Sequence, residues 1–229
     1  MFFATFTLMQ HRNKILAGAL VIAGFVALFA FEDKAIRSKD NSPFFSPGIN
    51  QKMQEAFLDV WQHYTSLHRY GFEVIQKELG SSTMEARPVI DLSQVFGTKR
   101  GYRLNVAEKV MDSGDLDVGD LPYDVLRGWF AHELGHIVDY ENHTNLGMIG
   151  FGIKYLVSDK FKREREHEAD SIAIRHGFKQ DIIAAKKYIL ENDFISPTYQ
   201  NQIKKYYMSI SGAELCPEER KQALPKLEL

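Results

Sequence analysis

LPYDVLRGWFAHELGHIVDY, residues 121–140, sets the reading of the whole chain. Apolar side chains recur at Leu121, Val125, Leu126, Trp129, Phe130, Leu134, Ile137 and Val138, which predicts a helix buried on most sides. Into that helix are set His132, Glu133 and His136. A spacing of four puts the two imidazoles on one face, one turn apart. Imidazoles so placed can reach one tetrahedral zinc ion at about 2.0–2.1 Å. Glu133 follows the first histidine and points to the edge of such a site, where a carboxylate can take a proton from the metal's water without ligating. A buried helix has little other reason to carry these three side chains together.

A catalytic zinc needs a third protein ligand and an open position. The metzincin pattern would require glycine at 139 and histidine at 142; the sequence has Asp139 and Asn142, and His143 misses by one. Downstream lies Arg165-Glu166-His167-Glu168-Ala169-Asp170, in a stretch read as a helix over 160–176 that ends before Gly177. Glu166 and Asp170 share a face with Ala169 and Ala173, small enough for a close approach to the histidine helix. On one reading Glu166 ligates the metal and Asp170 holds a ligand histidine through its far ring nitrogen. On the other, Glu164, Glu166 and Glu168 alternate with Lys162, Arg163 and Arg165 on an ordinary solvated face. Spacing alone leaves the two readings even.

HELGH followed by E-x-x-A-D resembles the gluzincin zinc peptidases, most closely the membrane-linked HtpX and CAAX-prenyl-protease type and the small minigluzincins. The resemblance covers about 130–177. It implies that Glu166 is the third zinc ligand beside His132 and His136, that Asp170 orients a ligand, and that Glu133 is the catalytic base. That family often shows S-H-P followed by Arg-Ile, thought to serve substrate or oxyanion binding. The matching stretch here has Ser196 in the histidine position and Gln202 in the arginine position, so that role has no obvious holder. Tyr199, Tyr206, Tyr207 and His176 are the candidates. The family's multi-span membrane body has no counterpart in the sequence.

Outside this core, residues 15–31 read ILAGALVIAGFVALFAF. Seventeen residues without a charge stand at the lower limit of about 17 for spanning hydrocarbon as a helix. His11, Arg12 and Lys14 precede them and Glu32 and Asp33 follow, the pattern of a signal anchor or signal peptide after a short tail, 1–14. No small-x-small cleavage site follows, which favours an uncleaved anchor. The immediate flanks point to an extracytoplasmic body, although Lys34, Arg37 and Lys39 balance the basic count. Secretion after cleavage is the alternative. Residues 32–50, with Ser-Pro twice, read as a linker.

The body, 51–229, opens with a helical pattern over 51–79 closed by Gly80. Two extended runs follow, 87–92 and 102–106, joined through Gly97 and Gly101 as a small sheet. Residues 111–120 carry four aspartates in no EF-hand spacing and read as a solvated loop with Asp120 capping the next helix. The run 146–156 is too short to span a bilayer, so it packs on the core or touches a membrane surface.

Composition sets the remaining limits. Hydrophobic residues make up 45% of the 229 and charged residues 25%, enough for a folded core. A net charge of −2 gives no basic excess for nucleic acid. Cys216 stands alone, which excludes an internal disulfide.

The expectation is therefore an α+β, mainly helical fold with a small sheet beside the HExxH helix, zincin-like by resemblance. The expected function is a zinc endopeptidase acting on a peptide or protein substrate. By the same resemblance an edge strand, 102–106, would hold the substrate backbone. The alternatives are a non-proteolytic, zinc-stabilised binding protein on the membrane and a peptidase kept latent by its own residues 213–229.

Overall fold

The structure is a computed structural model that describes residues 42–80 and 82–217, together with Ile36. The anchor or signal segment, 15–31, lies outside the described residues. Among the described residues no helix is long and apolar enough to cross a membrane.

The elements run β1 (Phe44–Phe45), α1 (Gln51–Trp61), β2 (Phe72–Gln76), β3 (Met84–Val89), β4 (Gly101–Val106), α2 (Tyr123–Tyr140), α3 (Asn145–Val157), α4 (Asp159–Ala173), α5 (Lys179–Glu191), α6 (Pro197–Tyr206) and α7 (Ile210–Leu215). The fold is mainly helical with one four-stranded sheet, ordered β1-β2-β4-β3. β2 pairs in parallel with β1 and β4, and β3 runs antiparallel to β4.

Helix α2 is the centre of the molecule. It packs against α1, β3, α4 and α5, which explains the absence of a polar face in its sequence. Phe57 of α1 joins the layers: its ring centroid lies 5.6 Å from Phe45 of β1 and 5.5 Å from both Phe72 of β2 and Phe130 of α2. Fully burying a side chain of this size stabilises by about 1.5–3 kcal/mol. The other face of the sheet is polar, and its charges are matched across strands. Arg103 donates to Glu73 Oε2 at 2.9 Å and Asn105 Nδ2 to Glu85 Oε1 at 3.0 Å.

Four expectations are corrected. The helix expected over 51–79 stops at Trp61, because Tyr64 turns inward through a 3-10 turn and donates its hydroxyl to the Ala131 carbonyl at 2.8 Å. Phe72, expected on that helix, stands in β2. The stretch read as a linker contributes β1, and Ile49 is buried in the core. Asp120 closes a short 3-10 turn, and the cap position of α2 is Pro122, with no side-chain cap.

The fourth correction concerns the edge of the sheet. Residues 102–106 lie in β4, which has a neighbour on each side; the edge beside α2 is β3. The Ala107 N–H donates to the Thr83 carbonyl at 2.9 Å. With the register fixed, the main-chain groups of Met84, Ala86 and Pro88 point away from β4.

Candidate metal centre

His132, Glu133 and His136 rise from the middle of α2, and the histidine rings meet edge to face with centroids 4.7 Å apart. α4 can lie against them because Gly135 has no side chain. A Cβ there would stand 2.5 Å from the Ala169 carbonyl oxygen. The close approach brings Glu166 Oε2 to 3.1 Å from His132 Nε2 and 3.5 Å from His136 Nε2. These donor atoms lie within 4.8 Å of one another and all three residues are buried, so the group could hold a metal ion.

The two histidines are held unequally. His132 Nδ1 bonds Asp170 Oδ1 at 3.0 Å, which turns its Nε2 toward Glu166. Asp170 Oδ2 in turn accepts Lys186 Nζ at 2.8 Å and the Met208 N–H at 3.1 Å. His136 Nδ1 is buried with no protein partner among the described residues. Tyr155 donates its hydroxyl to Glu166 Oε1, so that carboxylate is gripped on the oxygen that does not face the histidines.

The electrostatics favour a cation at the centre. Burial opposes a charge on His132, yet its hydrogen bonds to Asp170 and Glu166, and their charges, push its pKa up to about 10. Burial likewise opposes ionisation of Glu166, and the charge and hydrogen bonds of the two histidines outweigh it, holding that carboxyl well below its ordinary range. Asp170 is held at about 2: burial raises it, and Lys186 and His132 overcome the burial. A proton on His132 thus supplies the positive charge that the surrounding carboxylates demand. A metal ion would supply it through the same donors.

Glu133 differs from these carboxylates. Burial raises its pKa against the pull of the His136 and His132 rings, and it accepts a hydrogen bond from the Ala86 N–H of β3. The Ala86 carbonyl accepts the Tyr140 hydroxyl at 3.5 Å. A buried carboxyl with a raised pKa, beside but outside the donor set, is suited to carrying a proton.

These groups open into a cleft of about 1090 Å³. β3 forms one wall, Met148, Phe151 and Tyr155 of α3 another, and Ile182 and Ile189 of α5 line its apolar end.

The structure brings together all five residues singled out for the site, His132, Glu133, His136, Glu166 and Asp170. Of the remaining candidates, Tyr207 lies tilted against the His132 ring, with centroids 5.2 Å apart. Tyr199 bonds Thr83, and Tyr206 bonds Asp159. His176 stacks on Tyr64 at 4.2 Å and donates to the Ile172 carbonyl, a packing role. Ser196 caps α6, and Gln202 lines the cleft. Residues 213–217 do not line it; α7 packs on α5. Tyr155, Lys186 and Tyr140 escaped sequence reasoning, since nothing separates them from other residues of amphipathic helices.

Comparisons with models of protein families, with curated proteins and with solved structures find no match. Function has to be argued from the site itself.

Proposed function

We propose that this chain is a zinc-dependent endopeptidase with a zincin-like catalytic body, anchored to a membrane through residues 15–31 and facing away from the cytoplasm. The observation that carries the reading is the convergence of His132, His136 and Glu166 beside the buried base Glu133. Donors at about 2.0–2.1 Å from a tetrahedral ion stand about 3.3 Å apart. The distances from Glu166 to the two histidines, 3.1 and 3.5 Å, bracket that value. Two imidazoles and one carboxylate suit zinc and leave a fourth position for water.

Zinc bound by these residues supplies Lewis acidity and lowers the pKa of a water to about 7. Glu133 takes the proton of the attacking water and passes it to the departing amine nitrogen. Asp170 and Lys186 keep the His132 ring oriented while this happens. The outward main-chain groups of Met84 and the carbonyl of Pro88 lie along the cleft on either side of Ala86, whose own N–H and carbonyl are taken by Glu133 and Tyr140, and an extended substrate backbone can pair with them. The resemblance of HELGH and E-x-x-A-D to gluzincins of the HtpX type agrees with the roles of His132, His136, Glu166, Glu133 and Asp170.

The test is a purification of the full chain in detergent, with zinc content and cleavage of a peptide mixture measured for the native chain and for Glu133→Gln. One zinc per chain in both is expected, with cleavage lower by about 10²-fold or more in the variant. Bound zinc with equal, negligible cleavage in both would leave a non-proteolytic zinc protein. Absence of zinc from both would end the proposal.

A further inference from the structure

The outer face of α3 is apolar and largely open among the described residues: Leu146, Leu156 and Val157 are exposed, and Ile149 and Ile153 are partly buried. Met148, Phe151 and Tyr155 point inward, to the core and the cleft. On the opposite side lie Leu146, Ile149, Ile153, Leu156 and Val157, within an arc of about 100° at 3.6 residues per turn, Leu156 at its margin also lining the cleft. Leu146 is 52% exposed, Leu156 66% and Val157 77%. Gly150 borders this arc, and a Cβ there would meet nothing within 4 Å. A helix with apolar stripes on two opposite faces needs a second apolar environment.

Next to this stripe stands Phe96, 91% exposed, on the loop between β3 and β4. The loop is fastened to the first residue of α3. Asn145 Nδ2 donates to the carbonyls of Gln94 at 2.7 Å and Lys99 at 3.1 Å, and Asn145 Oδ1 accepts Arg100 at 3.2 Å. Residues 92–100 and 142–158 together carry Lys99, Arg100 and Lys154 and no aspartate or glutamate.

The same corner receives the chain from its apolar N-terminal run. Ile36 Cδ1 lies against Gly101, the residue after Arg100; a Cβ on Gly101 would stand 2.5 Å from it. Four residues, 32–35, separate Phe31 from Ile36, a reach over five Cα steps of at most about 18 Å. A bilayer holding 15–31 would lie within that reach of Ile36, whose side chain stands beside Gly101 and so near the junction of Arg100 with Asn145, where α3 begins.

We infer that α3 and Phe96 form an interfacial membrane contact: the helix lies flat on an anionic bilayer, with its outer stripe and Phe96 among the headgroups and the exposed Lys99 and Lys154 beside lipid phosphates, while Arg100 is held by Tyr102, Tyr140 and Asn145. The inference rests on reading 15–31 as the membrane anchor. It is independent of any metal chemistry.

Phe96→Cys, Leu156→Cys and, as reference, Leu215→Cys on α7, 85% exposed, each made in a full-length chain carrying Cys216→Ser, test this. Each thiol is labelled with an environment-sensitive fluorophore, and the chain is reconstituted into phosphatidylcholine–phosphatidylglycerol vesicles. Brominated lipid should quench the labels at 96 and 156 several-fold more than the label at 215, while aqueous iodide should quench 215 most. If the chain floats with the vesicles but the labels at 96 and 156 respond to iodide as 215 does, the interfacial contact is overturned and the anchor stands. Failure of the chain to float overturns both. Labels shielded from both quenchers only at high protein density would assign the stripe to a second copy of the chain instead.

Discussion

An ammonium group with 5% of its residue surface exposed has little water to hydrate it, and Lys186 offsets that cost by donating to Asp170 Oδ2 at 2.8 Å. The other oxygen of Asp170 orients His132. One buried lysine therefore steadies the carboxylate that steadies a metal donor. Replacing Lys186 by Met leaves Asp170 buried with one charge partner fewer, a loss of about 3–5 kcal/mol when a buried pair is broken from one side. Zinc binding should weaken by about 10–100-fold, the usual effect of disturbing a ligand's outer partner. Urea unfolding and zinc titration against a competing chelator measure the two effects; lost stability with unchanged zinc affinity would reduce Lys186 to packing. Acid adds a further check in the metal-free chain. The Asp170 carboxyl sits at about 2 when folded, below the ordinary 3.8, so the unfolded chain takes up the proton first as pH falls. The stabilisation from this group is whole above about pH 4 and drains away toward about pH 2, roughly 2 kcal/mol at 1.36 kcal/mol per pKa unit. Without Lys186 that depression shrinks. The stability gap between the native chain and Lys186→Met should narrow as pH falls through this window.

Between elements, the site depends on how closely α4 approaches α2. Gly135 faces the Ala169 backbone, and a Cβ there would stand 2.5 Å from its carbonyl oxygen and 3.1 Å from its Cα. Neither atom belongs to a flexible side-chain end, so the helices themselves must part. Gly135→Ala should cost about 1–3 kcal/mol, as overpacking does, despite the better helix propensity of alanine. It should also move Glu166 off the histidines and weaken zinc binding, with far-UV circular dichroism unchanged. Gly80→Ala, where a Cβ meets nothing within 4 Å, is the control and should alter neither. The small residues at 169 and 173 made this packing legible in the sequence, as did the helical spacing of His132 and His136 and of Glu166 and Asp170; the part played by Gly135 was not. The β3–β4 pair was legible for the same reason: its partners are near in sequence and joined by a glycine-containing loop. β2 was not. Its five residues pair in parallel with strands distant in sequence, and its Phe72 continues the apolar spacing of the preceding helix. With β2 unseen, β4 looked like an edge; once β2 is placed, β3 takes that position. Tyr155 and Lys186 act through contacts between helices, and local pattern says nothing of those.

Across the whole molecule, the donors come from two helices that the bound ion would tie together, so metal binding and folding are one equilibrium. At zinc concentrations about 1,000-fold above the dissociation constant the stabilisation is about 4 kcal/mol. For a body of this size that raises the unfolding midpoint by on the order of 10 °C. The size of the gap depends on pH, and its sign follows from His132. In the metal-free fold this ring holds its proton up to about 10. A folded pKa raised above the unfolded value contributes stability that is full below about 6.5 and is lost as pH rises through about 10. The metal-free chain therefore loses this contribution on the alkaline side. The loaded chain behaves oppositely, because an ion must displace the same proton, so across the neutral range affinity rises about tenfold per pH unit through this ligand alone. Calorimetric midpoints measured with zinc and with chelator at about pH 6, 7 and 8 should therefore diverge as pH increases. A gap that stays constant would mean that the ion does not replace the proton on His132, and the cation that these carboxylates demand would have to be sought elsewhere in the cleft.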